Sequence, residues 1–174
     1  MNTILALDIA SRNTGWVFIK NGKIDKTHLG TIRINPKYTM GKRLFIFETE
    51  VKNLINTYNP DIICVEDIFK GRNANTFKIL SLFRGVVIKT AYEYNEKDPI
   101  SIMAAQVRSI IDLPNNKEKV FHILNDRYKL EFEFNTDNDA VDAIALGLAC
   151  DKIIKNGIEL KSKKRKRKKK HKKR

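Results

Sequence analysis

Cysteine is scarce in this chain: among 174 residues there are two, Cys64 and Cys150, each inside an apolar segment. That excludes a disulfide framework and suits reduced thiols in the core of a cytosolic protein. His28 and His122 have no His or Cys at metal-ligand spacing, so they read as ordinary surface or partly buried residues. No apolar run approaches the roughly 20 residues that a membrane helix needs. The first apolar stretch is broken at Asp8 and no basic stretch precedes it, which does not read as a signal peptide. The expectation is a cytoplasmic protein with no membrane partner.

Acid is missing from one place. Residues 161–174 hold 12 of the 34 Lys and Arg and no Asp or Glu, which leaves 22 basic against 20 acidic residues elsewhere. The formal charge of +14 therefore belongs mostly to a tail on a near-neutral body. The tail contains no apolar residue and cannot bury surface to offset ordering, so a disordered Lys/Arg-rich segment is expected over 159–174. The body, 1–158, has the length of one domain. With 42% hydrophobic residues over the chain, it can fill a core.

Thr3-Ile4-Leu5-Ala6-Leu7 is almost continuously apolar and ends in Asp8, the pattern of a strand buried on both faces. Strand character resumes at Trp16, and Asn21-Gly22 predicts a type I′ hairpin turn between Trp16–Lys20 and Lys23–Arg33. Leu44, Phe47, Val51, Leu54 and Ile55 recur at helical spacing between Met40 and Tyr58, and Asn59-Pro60 stops that helix. Ile62-Ile63-Cys64-Val65 is a second buried strand, followed by Glu66-Asp67. A crossover helix between two such strands makes them parallel. From Asn73 to Tyr94 a long helix is apolar nearly all round, which requires two buried faces. Pro99 to Met103 is a brief fifth strand. Helices follow near 104–111, over 117–130 and over 140–154, the last beginning after Thr136-Asp137-Asn138. This predicts an α/β domain with a mixed five-stranded sheet flanked by helices.

The acids are the chemical signal. Asp8 and Glu66 end the two most buried strands, and parallel neighbours would bring both carboxylates to one sheet edge. Asp139 and Asp142, three apart, share one helical face. Four converging carboxylates resist joint ionisation. A pair of divalent cations about 4 Å apart resolves the repulsion and can promote phosphodiester cleavage. Spacing alone leaves Asp67 competing with Glu66, and Asp137 with Asp139, since acids at strand ends and helix starts often serve as caps.

Several segments together resemble RuvC-type Holliday-junction resolvases: Leu5-Ala6-Leu7-Asp8-Ile9-Ala10-Ser11-Arg12-Asn13-Thr14-Gly15-Trp16, Cys64-Val65-Glu66-Asp67-Ile68-Phe69, Arg72-Asn73-Ala74 and Arg84-Gly85-Val86-Val87-Ile88. Ala105-Gln106-Val107-Arg108, Glu118-Lys119 and Asp139-Ala140-Val141-Asp142-Ala143-Ile144-Ala145 follow in the family's order. The resemblance covers about residues 3–154. It implies an RNase H-like fold and a homodimer that cuts four-way DNA junctions with Mg²⁺ or Mn²⁺, two ions per active site. Its metal-binding acids carry over onto Asp8, Glu66, Asp139 and Asp142. Divergent members of this kind occur in phages and large viruses. Two features depart from the family pattern: Leu113-Pro114-Asn115-Asn116 lacks the usual glycine, and the basic tail is not general.

By the same resemblance, Phe69 stacks on bases opened at the crossover, an interaction of about 1–3 kcal/mol that makes no sequence demand. Lys70-Gly71-Arg72 beside it reads as a phosphate-contacting loop. Arg108 and Lys119 match basic residues near the family's active site and would offset phosphate charge. Lys163, Lys164, Arg165, Lys166 and Arg167 supply sequence-independent phosphate contacts. In a eukaryotic cell, Lys164-Arg165-Lys166-Arg167 would instead read as a nuclear-targeting run. The second apolar stripe of the Asn73-to-Tyr94 helix, which includes Phe83 and Val86, is expected to face the dimer partner. Two other readings stand beside the resolvase: another RNase H-like nuclease acting on RNA, flaps or other branched DNA, and a catalytically silent nucleic-acid-binding protein of the same fold.

Overall fold

The computed structural model describes residues 2–68 and 73–158. The two unbroken apolar runs become the two inner parallel strands, because only a strand covered on both faces can be apolar at every position. The elements in order are β1 (Thr3–Asp8), β2 (Asn13–Lys20), β3 (Lys23–Arg33), α1 (Met40–Tyr58), β4 (Ile62–Glu66), α2 (Ala74–Asn95), β5 (Ile100–Ile102), α3 (Ala104–Ile110), α4 (Lys117–Tyr128) and α5 (Phe134–Asn156). They form one mixed five-stranded sheet in the order β3-β2-β1-β4-β5. The first three strands are antiparallel, while β4 runs parallel to β1 and β5 parallel to β4. The hairpin turn falls where expected, with Asn21 and Gly22 at φ 55° and 76°, both in the left-handed region that a type I′ turn requires.

Side-chain alternation divides the core into two. Ile4, Ala6, Val17, Ile19 and Cys64 point to one face, covered by Ala140, Ala143, Ile144 and Cys150 of α5 together with α3 and α4. Leu5, Leu7, Ile63 and Val65 point to the other, covered by Phe47, Val51 and Ile55 of α1 and Phe83, Val87 and Ala91 of α2. Both cysteines are free and buried, in accord with their apolar settings.

Strand β2 begins at Asn13, three residues before Trp16, and three further details depart from the sequence expectation. Helix α5 begins at Phe134, six residues before Ala140. The Glu133 amide donates to Asp137 Oδ2 at 3.1 Å and the Thr136 hydroxyl donates to the same oxygen at 2.8 Å. After Phe134 the extra turn and a half is polar, and one apolar residue carries no periodic signal. Helix α4 stops at Tyr128 rather than Leu130, because Lys129 turns left-handed at φ 51° and the Leu130 amide donates back to the Asn125 carbonyl.

The third departure concerns α2. Phe83 was expected on an outward stripe, but it has no exposed surface and packs against Phe47 with ring centroids 5.0 Å apart. Val86 is partly buried against the same cluster. The helix reaches the core through Phe83, Val87 and Ala91, and it is Leu82, 41% exposed, that lies outside.

Candidate active site

Residue parity builds the site. In β1, Ile4 and Ala6 face α5, so Asp8 at the same parity emerges on that side; in β4, Cys64 faces α5, and so does Glu66. The parallel register aligns Leu7 with Val65, which brings the two acids to one edge of the sheet. Asp67, one residue on, goes the other way and is taken by Arg84 of α2 at 2.8 Å.

Helix α5 delivers the second pair of carboxylates because a glycine lets it come close. Gly15 lies beside Asp8 in the ladder, and a Cβ placed on it would stand 1.7 Å from the Asp139 carbonyl oxygen. The helix backbone occupies the volume that any other side chain would need. A second close approach holds the helix further along, where a Cβ on Gly147 would meet Ile19 Cδ1 at 2.6 Å. Asp137, by contrast, is bound up with Glu133 and Thr136 at the helix start.

The electrostatics report the crowding. Burial pushes the Asp8 carboxyl well above the ordinary carboxylate range, and Glu66, Asp142 and Asp139 push it further. Glu66 is raised by burial and by Asp142, with Arg108 and Lys117 pulling it back. Asp139 is raised chiefly by burial, against the pull of Lys117. Asp8 thus feels the other three acids, while Glu66 and Asp139 each feel Asp142.

One residue inside this volume carried no signal in the sequence. The Lys117 ammonium, from the first turn of α4, lies 2.6 Å from Asp142 Oδ2. Burial works against its charge, but the hydrogen bond to Asp142 and the fields of Asp142, Asp139 and Asp8 outweigh it and raise its pKa. A cation thus already stands among the carboxylates. Lys119 is exposed, and its backbone amide donates to the Asn116 side chain that caps α4. Arg108, half-buried on α3, acts on Glu66. Among the described residues, no group of three or more His, Cys, Asp or Glu is arranged to hold a metal ion. Phe69, Lys70, Arg72 and the run from Lys163 to Arg167 lie outside the described residues.

The donor set suits hard divalent cations: four carboxylates from three elements, no sulfur and no imidazole, with charge that burial makes costly. Among the described residues, no helix is long and apolar enough to cross a membrane.

The family model described as Crossover junction endodeoxyribonuclease RuvC matches residues 4–150. The crossover junction endodeoxyribonuclease RuvC of Enterobacter sp. (strain 638) is 29% identical over 164 residues, covering 92% of each chain. Among solved structures, T. thermophilus RuvC in complex with Holliday junction substrate superposes with a TM-score of 0.76 at 18% identity, over 90% of this chain and 97% of that one. Another Thermus thermophilus RuvC structure gives 0.73 at 16% identity, over 89% and 96%. The yeast mitochondrial Holliday junction resolvase gives 0.52 at 12% identity, over 86% and 77%. The shared architecture is the RNase H-like fold. Since the family match runs from β1 almost to the end of α5, the chain belongs to the RuvC family of crossover junction endodeoxyribonucleases.

Proposed function

We propose that this protein is a structure-selective endonuclease that hydrolyses phosphodiesters in four-way DNA junctions, with Asp8, Glu66, Asp139 and Asp142 as its metal-binding catalytic acids. The observation that carries the reading is their convergence from β1, β4 and α5 on one sheet edge, with the pKa values of Asp8, Glu66 and Asp139 raised. The four carboxylates would hold two Mg²⁺ or Mn²⁺, which when bound supply Lewis acidity toward the scissile phosphate and the attacking water.

The chain's own residues do the rest. Asp8 and Glu66 sit on the rigid sheet and fix the site's floor, and α5 brings Asp139 and Asp142 over it. Arg108 and Lys117 place positive charge beside the acids, where it offsets the charge of an approaching phosphate and of the transition state. Phe69, Lys70 and Arg72 follow β4 in sequence and supply junction contacts, with Phe69 stacking on an opened base. Lys119 and the basic tail at 159–174 add phosphate contacts to a nuclease domain spanning 1–158. Two copies pair through α2, presenting two active sites to the two symmetric strands of a junction. The protein works in the cytoplasm, on nucleoid DNA.

Incubation with synthetic four-way junctions, duplexes, flaps and RNA–DNA hybrids, in Mg²⁺ and in EDTA, tests the substrate and the metal together. Paired symmetric cuts in junctions alone, abolished by EDTA, are expected; preferential cutting of hybrids or flaps would replace the resolvase with another nuclease of this fold. Asp8→Asn should abolish cleavage while leaving the gel-shift affinity for the junction intact. Cleavage at the wild-type rate would remove Asp8 from the mechanism.

A further inference from the structure

Strand β4 ends at Glu66, where its pairing with β5 is joined by one side chain from the other face of the sheet. Arg84 of α2 directs Nη1 at Asp67 Oδ1 at 2.8 Å and at the Glu66 carbonyl oxygen at 3.4 Å. Its Nη2 donates to Ser101 Oγ at 2.7 Å. Ser101 belongs to β5 and pairs with Val65, so the guanidinium ties together the last residue of β4, the residue beyond it and the neighbouring strand. The Asp67 amide donates to the Ile102 carbonyl at 2.8 Å, extending the β4–β5 ladder past Glu66. The Arg84 side chain is 18% exposed and meets three acceptors, two from residues at the β4 end and one from β5. The guanidinium reaches them from two nitrogens held in a fixed planar fork, a geometry that the single nitrogen of an ammonium does not reproduce.

We propose that Arg84 is a positioning residue for the catalytic site, clamping the end of β4 and so fixing where Glu66 presents its carboxylate. This rests on the reading of Glu66 as a metal-binding acid. Parity puts the Glu66 side chain on the α5 face and Asp67, with its guanidinium, on the α2 face. Arg84 therefore acts through the backbone and does not compete with a cation for the carboxylates. Outer-shell residues that orient ligands typically change metal affinity or activity about 10–100-fold when removed.

The test uses the full chain and Arg84→Lys, Arg84→Met and Ser101→Ala. Free Mn²⁺ is followed by electron paramagnetic resonance during titration, and single-turnover junction cleavage is measured at saturating enzyme across a Mn²⁺ series. Ser101→Ala removes one acceptor and keeps the arginine, so it reports even if Arg84→Met does not fold. The expected result is Mn²⁺ half-saturation raised about tenfold in both Arg84 variants and by less in Ser101→Ala. The cleavage rate should fall at low Mn²⁺ and recover at high Mn²⁺, with the junction Kd unchanged. Lysine should not rescue, which separates the fork from its charge. Unaltered Mn²⁺ affinity in the folded variants would overturn the proposal, and so would a loss that follows junction Kd, since Arg84 would then be a DNA contact. If the wild-type chain itself neither takes up Mn²⁺ nor cuts, the reading of the acid cluster fails and the clamp fails with it; wild-type function with indifferent variants sinks the clamp alone.

Discussion

Gly15 and Lys117 shape the acid cluster without being acids. The close passage of α5 over Gly15 leaves no room for a methyl group, because the atoms in its way are backbone. Gly15→Ala should lift the start of α5 and cost about 1–3 kcal/mol, as overpacking generally does. Asp139 then moves away from Asp8, so cleavage should fall by more than the lowered Tm explains; wild-type cleavage would show that α5 need not sit this close. Lys117 has the converse role. Its ammonium offsets the charge of Asp142, Asp139 and Asp8. Lys117→Met should lower Tm in EDTA, and added Mg²⁺ should recover more of it than in the wild type. Equal Mg²⁺ stabilisation of both proteins would show that the lysine does not shield these carboxylates.

Helices α1 and α2 lean on each other through a small charged lattice. Glu48 receives Lys52 of its own helix and Lys89 of α2, each at 2.8 Å, while Lys89 also reaches Glu93 at 2.9 Å. The hydrogen bonds from Lys52 and then Lys89 lower the Glu48 pKa to about 2, against an ordinary 4.5. A depressed folded-state pKa stabilises above the unfolded value and stops doing so as pH falls through the folded one. The Tm difference between wild type and Glu48→Gln should accordingly be greatest above about pH 4.5 and close towards pH 2. The lattice is at the surface, so added salt should shrink the difference; a salt-independent gap would contradict an electrostatic origin. On the same helix as Lys89, Phe83→Ala should cost about 3–5 kcal/mol as a core truncation. Leu82→Glu should leave the fold intact and, if α2 pairs two copies, shift sedimentation towards monomer. This distinction was hidden in the sequence, where Leu82 and Phe83 are adjacent apolar residues in a helix apolar nearly all round. The strands were legible because their buried runs end sharply in acids. Lys117 was not, since a lysine in a helix's first turn is indistinguishable from any solvated one until α4 is packed against α5.

For the whole molecule, the unequal distribution of charge predicts how DNA affinity responds to salt. Deleting 161–174 removes 12 basic residues and none of the four acids. Binding to junction and duplex should weaken alike, and the log–log salt slope on duplex DNA should shrink by about 0.9 for every phosphate the tail had neutralised. Single-turnover cleavage at saturating enzyme should persist. An unchanged slope would deny the tail any part in phosphate binding. The body carries its own asymmetry in how its parts are fastened. Strand β1 has β2 on one side and β4 on the other, and its far end is locked to β4 by Asp61, which accepts from the Thr3 amide and hydroxyl at 2.9 and 2.8 Å. At the opposite margin β5 is three residues long, and α3 and α4 follow it. Amide hydrogen exchange should be slowest in β1 and β4 and fastest in α3 and α4, the pattern of a molecule that opens from one margin. Those margin helices carry Arg108 and Lys117, while Asp8 and Glu66 sit on the last strands to part. On warming, the protein should therefore fall silent some degrees before its sheet melts, with the acids still in register and their cationic neighbours gone.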